Sequence, residues 1–189
     1  MASSILTIPN LLTFLRMALI PVFASLLYYS YNDWALIVFI VAGVSDGVDG
    51  FIARRFKQES ELGTILDPIA DKLLMTTAFI ILTLPNVLPP LYRVPFWVTA
   101  AVIGRDVLIV AVAGAINIMT GFHGFKPSWL GKASTTIQVA AVTLILLAVV
   151  FNYSFYLRAT HLIVVLFAFA SGVHYIFYVA RLMKEEEKS

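Results

Sequence analysis

The sequence predicts an all-α polytopic membrane protein: six transmembrane helices in a single domain over 1–189, with both termini in the cytoplasm. Three observations predict it. The chain is 60% hydrophobic and 13% charged, whereas a soluble domain is about 25% charged. Apolar runs of about 20 residues, long enough to cross a bilayer, fall near 9–30, 34–54, 63–84, 95–119, 130–151 and 159–182. Basic residues gather in alternate connections, the pattern of a positive-inside topology. A net charge of +2 is too small to suggest a nucleic-acid partner, and the absence of cysteine excludes thiol chemistry.

Each span is expected to be helical, because backbone polar groups in lipid must be satisfied within their own segment. The first begins Ile8-Pro9-Asn10, where Pro9 suits a helix start and Asn10 or Thr7 could cap. No Lys or Arg precedes Ile8, which argues against a cleaved signal peptide, so this span is expected to be retained. Arg16 lies about two turns in. It reads either as a cation snorkelling to the cytoplasmic interface or as a contact to an anionic group. Loop signals then punctuate the chain: Tyr31-Asn32-Asp33, Lys57-Gln58-Glu59-Ser60, Pro85-Asn86 with Pro89-Pro90, Gly121-Phe122-His123-Gly124, and Asn152-Tyr153-Ser154.

The connection between spans 2 and 3 carries Arg54, Arg55 and Lys57; that between 4 and 5 carries Lys126, with Lys132 just inside span 5. The C-terminus carries Arg181, Lys184 and Lys188. The opposite connections hold no basic residue, Arg93, and Arg158 in turn. Trp34, Tyr92, Trp97, Trp129 and Tyr153 fall near span ends, as an aromatic belt does. The tail from Lys184 to Ser189 reads as a solvated end, and there is no convincing internal repeat.

Asp46, Asp49, Asp67, Asp71 and Asp106 lie inside spans. Intramembrane carboxylates are expensive and point to function. Asp46 and Asp49 are three apart on span 2; Asp67 and Asp71 are four apart on span 3. Such spacings share a helix face, and both pairs lie toward the cytoplasmic ends of consecutive antiparallel spans, so the four can converge. Converging carboxylates repel one another or take up protons unless a hard cation intervenes. An all-oxygen set suits Mg²⁺, Mn²⁺ or Ca²⁺ rather than Zn²⁺. Four aspartates suffice for two ions, and two-metal sites assist displacement at phosphorus. Gly43, Gly47, Gly50 and Ala53 allow close approach along span 2. Gly63 places backbone where a phosphate could meet it, and Arg54 could pair with that phosphate. Pro68 either sits in an early turn or bends span 3. The bland reading is a polar cluster that only packs the bundle. A further alternative, an ion-coupled transporter, accounts for the acids but not for the glycines and Arg54.

The stretch Asp46-x2-Asp49-Gly50-x2-Ala53-Arg54-x8-Gly63-x3-Asp67-x3-Asp71 resembles the signature of the CDP-alcohol phosphatidyltransferases at every fixed position. The start, Ile8 to Arg16, and the segment Ser128 to Gln138 look like the members that make glycerol phospholipids. The resemblance covers essentially the whole chain. It implies a six-helix enzyme of the bacterial inner membrane, usually a homodimer, with two divalent cations, Mg²⁺ or Mn²⁺, at the cytoplasmic face. It implies that Asp46, Asp49, Asp67 and Asp71 ligate the metals and that Asp71 is also the general base. Gly50, Ala53, Arg54 and Gly63 would hold the CDP part of CDP-diacylglycerol. The phosphatidyl group would pass to an acceptor alcohol, polar or lipid, with release of CMP.

The acceptor is read from spans 4 and 5. Arg105 and Lys132 are cations near the same cytoplasmic end and could bind an acceptor phosphate; the bland reading is charge pairing of Arg105, for example with a site aspartate. Lys126 and His123 read as loop residues, His161 and His174 as packing or interface residues, and Lys72 as a snorkelling cation. The phosphatidylglycerophosphate synthases within the family imply glycerol 3-phosphate, which is the first expectation. Those enzymes usually have Arg-Glu where this chain has Arg105-Asp106, with a further Arg downstream, whereas Val107 to Ile116 holds no base. The Gly-Arg-Asp-Val form is more similar to the family's cardiolipin synthases, so phosphatidylglycerol is the alternative.

Overall fold

The computed structural model describes residues 8–56, 61–120 and 129–186; within its helices the side chains of 8, 9, 46–56, 61, 62, 64, 65, 117, 119, 120 and 181–186 lie outside the described residues. The described chain is all helix and turn: α1 (Ile8–Tyr28), α2 (Asn32–Phe56), α3 (Glu61–Thr83), α4 (Phe96–Thr120), α5 (Trp129–Phe151) and α6 (Leu157–Glu186). These are the six expected elements, with ends within a few residues of those read from hydropathy. Among the described residues, α1, α4, α5 and α6 are long and apolar enough to cross a bilayer, whereas α2 contributes the shorter apolar run Asn32–Ser45. On α3, Asp67, Asp71 and Lys72 interrupt the apolar sequence; the run given for α2 ends where its described side chains end, at Ser45.

Contacts divide the chain into two compact units: Met1–Arg93 with Val142–Ser154, and Val94–Ala141 with Phe155–Ser189. In the first, α1 packs on both α2 and α3. Its buried positions form one stripe, Asn10, Thr13, Arg16, Ile20, Phe23 and Leu27, at the three-and-four spacing of a single helix face. The apolar half of the stripe seats Phe23 against Phe39 of α2, ring centroids 5.4 Å apart and tilted by 44°. The α1–α2 turn reverses the chain tightly. Ser30 takes the left-handed conformation (φ 64°), and the Tyr31 amide reaches back to the Leu26 carbonyl at 2.8 Å, a Schellman closure. The same device ends α5, with Asn152 at φ 53° and the Tyr153 amide on the Ala148 carbonyl at 3.0 Å.

Several expectations change here. Asn10 lies in the first turn of α1 and is 1% exposed; Thr7 lies outside the described residues. Pro68 sits inside α3, beyond its first turn, so its missing N–H leaves the Thr64 carbonyl without a helical donor. Tyr92 is buried rather than part of an interfacial belt, while Trp34, Trp97, Trp129 and Tyr153 are exposed. Arg93 spends its guanidinium on the 3–4 connection, donating from Nη2 to the Pro85 carbonyl and to that of Leu88 at 3.4 Å. In the second unit α4 packs on α6, around Ile116, Tyr175 and Val179.

Candidate active site

The carboxylate-bearing halves of α2 and α3 both belong to the first unit. Asp67 and Asp71 lie one turn apart on α3 and are half-buried. Ala70 and Leu74 share their helix face and are buried, whereas Ile69 and Leu73 on the other side are exposed, so the acids face the packed side of α3. Gly63 is buried in the first turn of α3. Asp46, Asp49, Gly50, Ala53 and Arg54 follow buried Ser45 on the last turns of α2; their side chains lie outside the described residues. Lys57, His123 and Lys126 are outside them altogether. Among the described residues no cluster of three or more His, Cys, Asp or Glu is assembled. The donor chemistry of the two described aspartates nevertheless fits a hard cation: acceptor-only oxygens, partly buried, one of them already oriented.

That orientation comes from α1. The Thr13 hydroxyl donates a hydrogen bond to Oδ1 of Asp67, across 54 residues of sequence. Arg16, one turn further along the same stripe, is fully buried. The snorkelling reading of Arg16 is therefore overturned: a guanidinium reaching for the interface would show exposed nitrogens, and this one is enclosed. The alternative reading, contact to an anionic group, is compatible with such burial, because an enclosed charge needs partners.

The acceptor candidates lie in the second unit. Arg105 is buried, and its guanidinium is held on two sides. Nε and Nη2 donate to the Ser171 hydroxyl of α6 at 3.1 and 2.6 Å, and Nη1 donates to Asp106 Oδ1 at 2.6 Å. The charge pairing weighed from sequence is thus present, but with the adjacent aspartate. Lys132 stands exposed on the first turn of α5. Beside Arg105, between α4 and α6, is a cavity of about 340 Å³ lined almost entirely by apolar and small residues, among them Ala101, Gly104, Ala168 and Gly172. His161 is buried, as a packing residue would be, and His174 is exposed. Ser171 was invisible to sequence reasoning, since a serine on an apolar helix carries no signal until its partner is known. Replacing it by alanine strips two donors on a buried guanidinium of their acceptor. We expect Ser171→Ala to cost about 1–3 kcal/mol, read as a lower thermal midpoint in detergent micelles, with Ser171→Thr milder.

Comparison with known proteins adds the following. The sequence model of the family described as CDP-alcohol phosphatidyltransferase matches residues 6–174. A cardiolipin synthase (CMP-forming) of Streptomyces coelicolor is 33% identical over 201 residues, covering 96% of this chain and 86% of that protein. The cardiolipin synthase (CMP-forming) of Rattus norvegicus is 37% identical over 164 residues, 78% of this chain and 52% of that protein. The CDP-diacylglycerol–glycerol-3-phosphate 3-phosphatidyltransferase of Escherichia coli is 36% identical over 146 residues, 74% of this chain and 76% of that protein.

Proposed function

Because the chain belongs to the CDP-alcohol phosphatidyltransferase family, we propose that it moves the phosphatidyl group of CDP-diacylglycerol to a glycerol hydroxyl and releases CMP. The observation that carries the site assignment is the Asp67–Asp71 pair on α3, with Asp67 held by Thr13. The family uses a divalent metal. In this chain Asp46, Asp49, Asp67 and Asp71 would hold two cations, Mg²⁺ or Mn²⁺, which when bound supply charge neutralisation at the donor pyrophosphate. Gly50, Ala53 and Gly63 leave room for the CDP moiety, and Arg54 pairs with a donor phosphate oxygen. Asp71 accepts the proton of the acceptor hydroxyl. The acceptor oxygen bonds to the phosphorus bearing diacylglycerol as the bond from that phosphorus to the CMP oxygen breaks, and CMP leaves with the electron pair.

The long apolar helices and the family together make this an integral membrane protein. We place it in a bacterial inner membrane with the site toward the cytoplasm, on the Lys/Arg bias of its connections. The single family match over 6–174 supports one catalytic domain, and a homodimer is carried by family resemblance.

Two acceptors compete. Glycerol 3-phosphate appears in the name of the Escherichia coli relative and is the first expectation from the sequence. Phosphatidylglycerol would make the product named in the other relatives. A phosphomonoester carries close to two charges at neutral pH, a phosphodiester one. Arg105 is already balanced by Asp106, and an apolar cavity adjoins it. Both observations support the lipid acceptor, which we favour. The test is a product assay with purified protein, CDP-diacylglycerol and Mg²⁺, run in parallel with the two acceptors. Cardiolipin and CMP are expected with phosphatidylglycerol, at a higher rate than any phosphatidylglycerophosphate with glycerol 3-phosphate; the reverse ranking returns the acceptor to glycerol 3-phosphate. Ion flux in liposomes free of nucleotide lipid would point instead to the transporter reading.

A further inference from the structure

We propose that Thr13 is a positioning residue of the metal centre, holding the Asp67 carboxylate in the orientation that presents its second oxygen to the cation. The inference rests on the reading of Asp67 as a metal ligand. Thr13 is wholly buried, and its hydroxyl donates to Asp67 Oδ1. A hydroxyl has one proton to give. In a helix, a threonine commonly bonds its own i−3 or i−4 carbonyl, as Thr83, Thr136 and Thr160 do in this chain. Thr13 sends a hydrogen bond to a different helix, and to a charged acceptor, where such bonds are about twice as strong as neutral ones.

The arrangement is rigid on both sides. On α1, Thr13 belongs to the buried stripe that continues through Ile20 and Phe23 to Leu27, and Phe23 is locked against Phe39. On α3, Ala70 and Leu74 are buried immediately after Asp67. Neither backbone can turn the two groups apart without unpacking the stripe. With Oδ1 engaged by Thr13, carboxylate rotation about χ2, otherwise broad, is restricted, and Oδ2 stays outside that hydrogen bond. This is the role of outer-shell partners at metal sites, whose loss typically lowers metal affinity by about 10–100-fold.

The test is Mn²⁺ binding to the full-length protein in detergent micelles, read from the free-ion electron paramagnetic resonance signal and independent of turnover. Thr13→Val removes the donor at nearly constant volume, and Thr13→Ala removes it with less demand on packing. We expect either to weaken Mn²⁺ binding by about 10–100-fold, with Thr13→Ser retaining wild-type affinity. If both donor-free variants bind Mn²⁺ like wild type while Asp67→Ala does not, Thr13 has no positioning role. If Thr13→Ser is as weak as Thr13→Val, the methyl packing and not the hydroxyl matters, and the proposal is overturned. If Asp67→Ala binds like wild type, the ligand reading of Asp67 fails first and takes the inference with it.

Discussion

Asp71→Asn is expected to lower the turnover for CMP release by about 10²–10⁴-fold, the usual contribution of a positioned general base, while the protein keeps its helix content and thermal midpoint. The substitution is nearly isosteric and the side chain is half-buried rather than enclosed, so the packing of α3 should survive. What changes is that an amide cannot take up the acceptor proton. Because the same residue is assigned as a ligand, the assay is run across a Mg²⁺ titration. A base leaves kcat low at saturating Mg²⁺; a residue that only ligates metal shifts the Mg²⁺ dependence and recovers turnover at the plateau. Normal turnover at that plateau would remove Asp71 from the chemistry.

Removal of divalent cations is expected to abolish CMP release, with recovery on adding Mg²⁺ or Mn²⁺ and not Zn²⁺. The preference follows from the proposed donor set, carboxylate oxygen without thiolate or imidazole. The size follows from charge. A metal at a phosphoryl centre is worth several kcal/mol of transition-state stabilisation, and about 1.36 kcal/mol is a factor of ten in rate. Chelation should therefore cost at least about three orders of magnitude. The measurement is initial CMP release before and after treatment with EDTA, followed by titration with each ion. Turnover that persists in chelator would separate this chain from metal-assisted transfer.

The helices and the acid pairs were legible from the linear sequence for a physical reason. Bilayer crossing demands a run of apolar residues whatever the neighbours are, so hydropathy locates α1, α4, α5 and α6 without knowledge of packing. Helical spacing likewise brings Asp67 and Asp71 to one face, and the fixed glycine, alanine and arginine positions around them carry the family signature in the linear sequence. A cation or a tyrosine near a span end has two environments of similar cost, interface and interior, and its residue type does not choose between them. Arg16 could equally well have reached the interface, and Tyr92 could have joined a belt.

The sequence alone determined the helix count, the pairing of the aspartates and the family, because those depend on composition and on spacings of a few residues. Tertiary structure alone decided which polar group each buried side chain meets. Thr13 finds Asp67 at a separation of 54 residues, and Arg105 finds Ser171 at 66. In a medium of low polarity an unmatched donor is costly, so these pairings are strongly selected. Yet they are selected by how α1 rotates against α3 and α4 against α6, and no local pattern in the chain encodes that rotation.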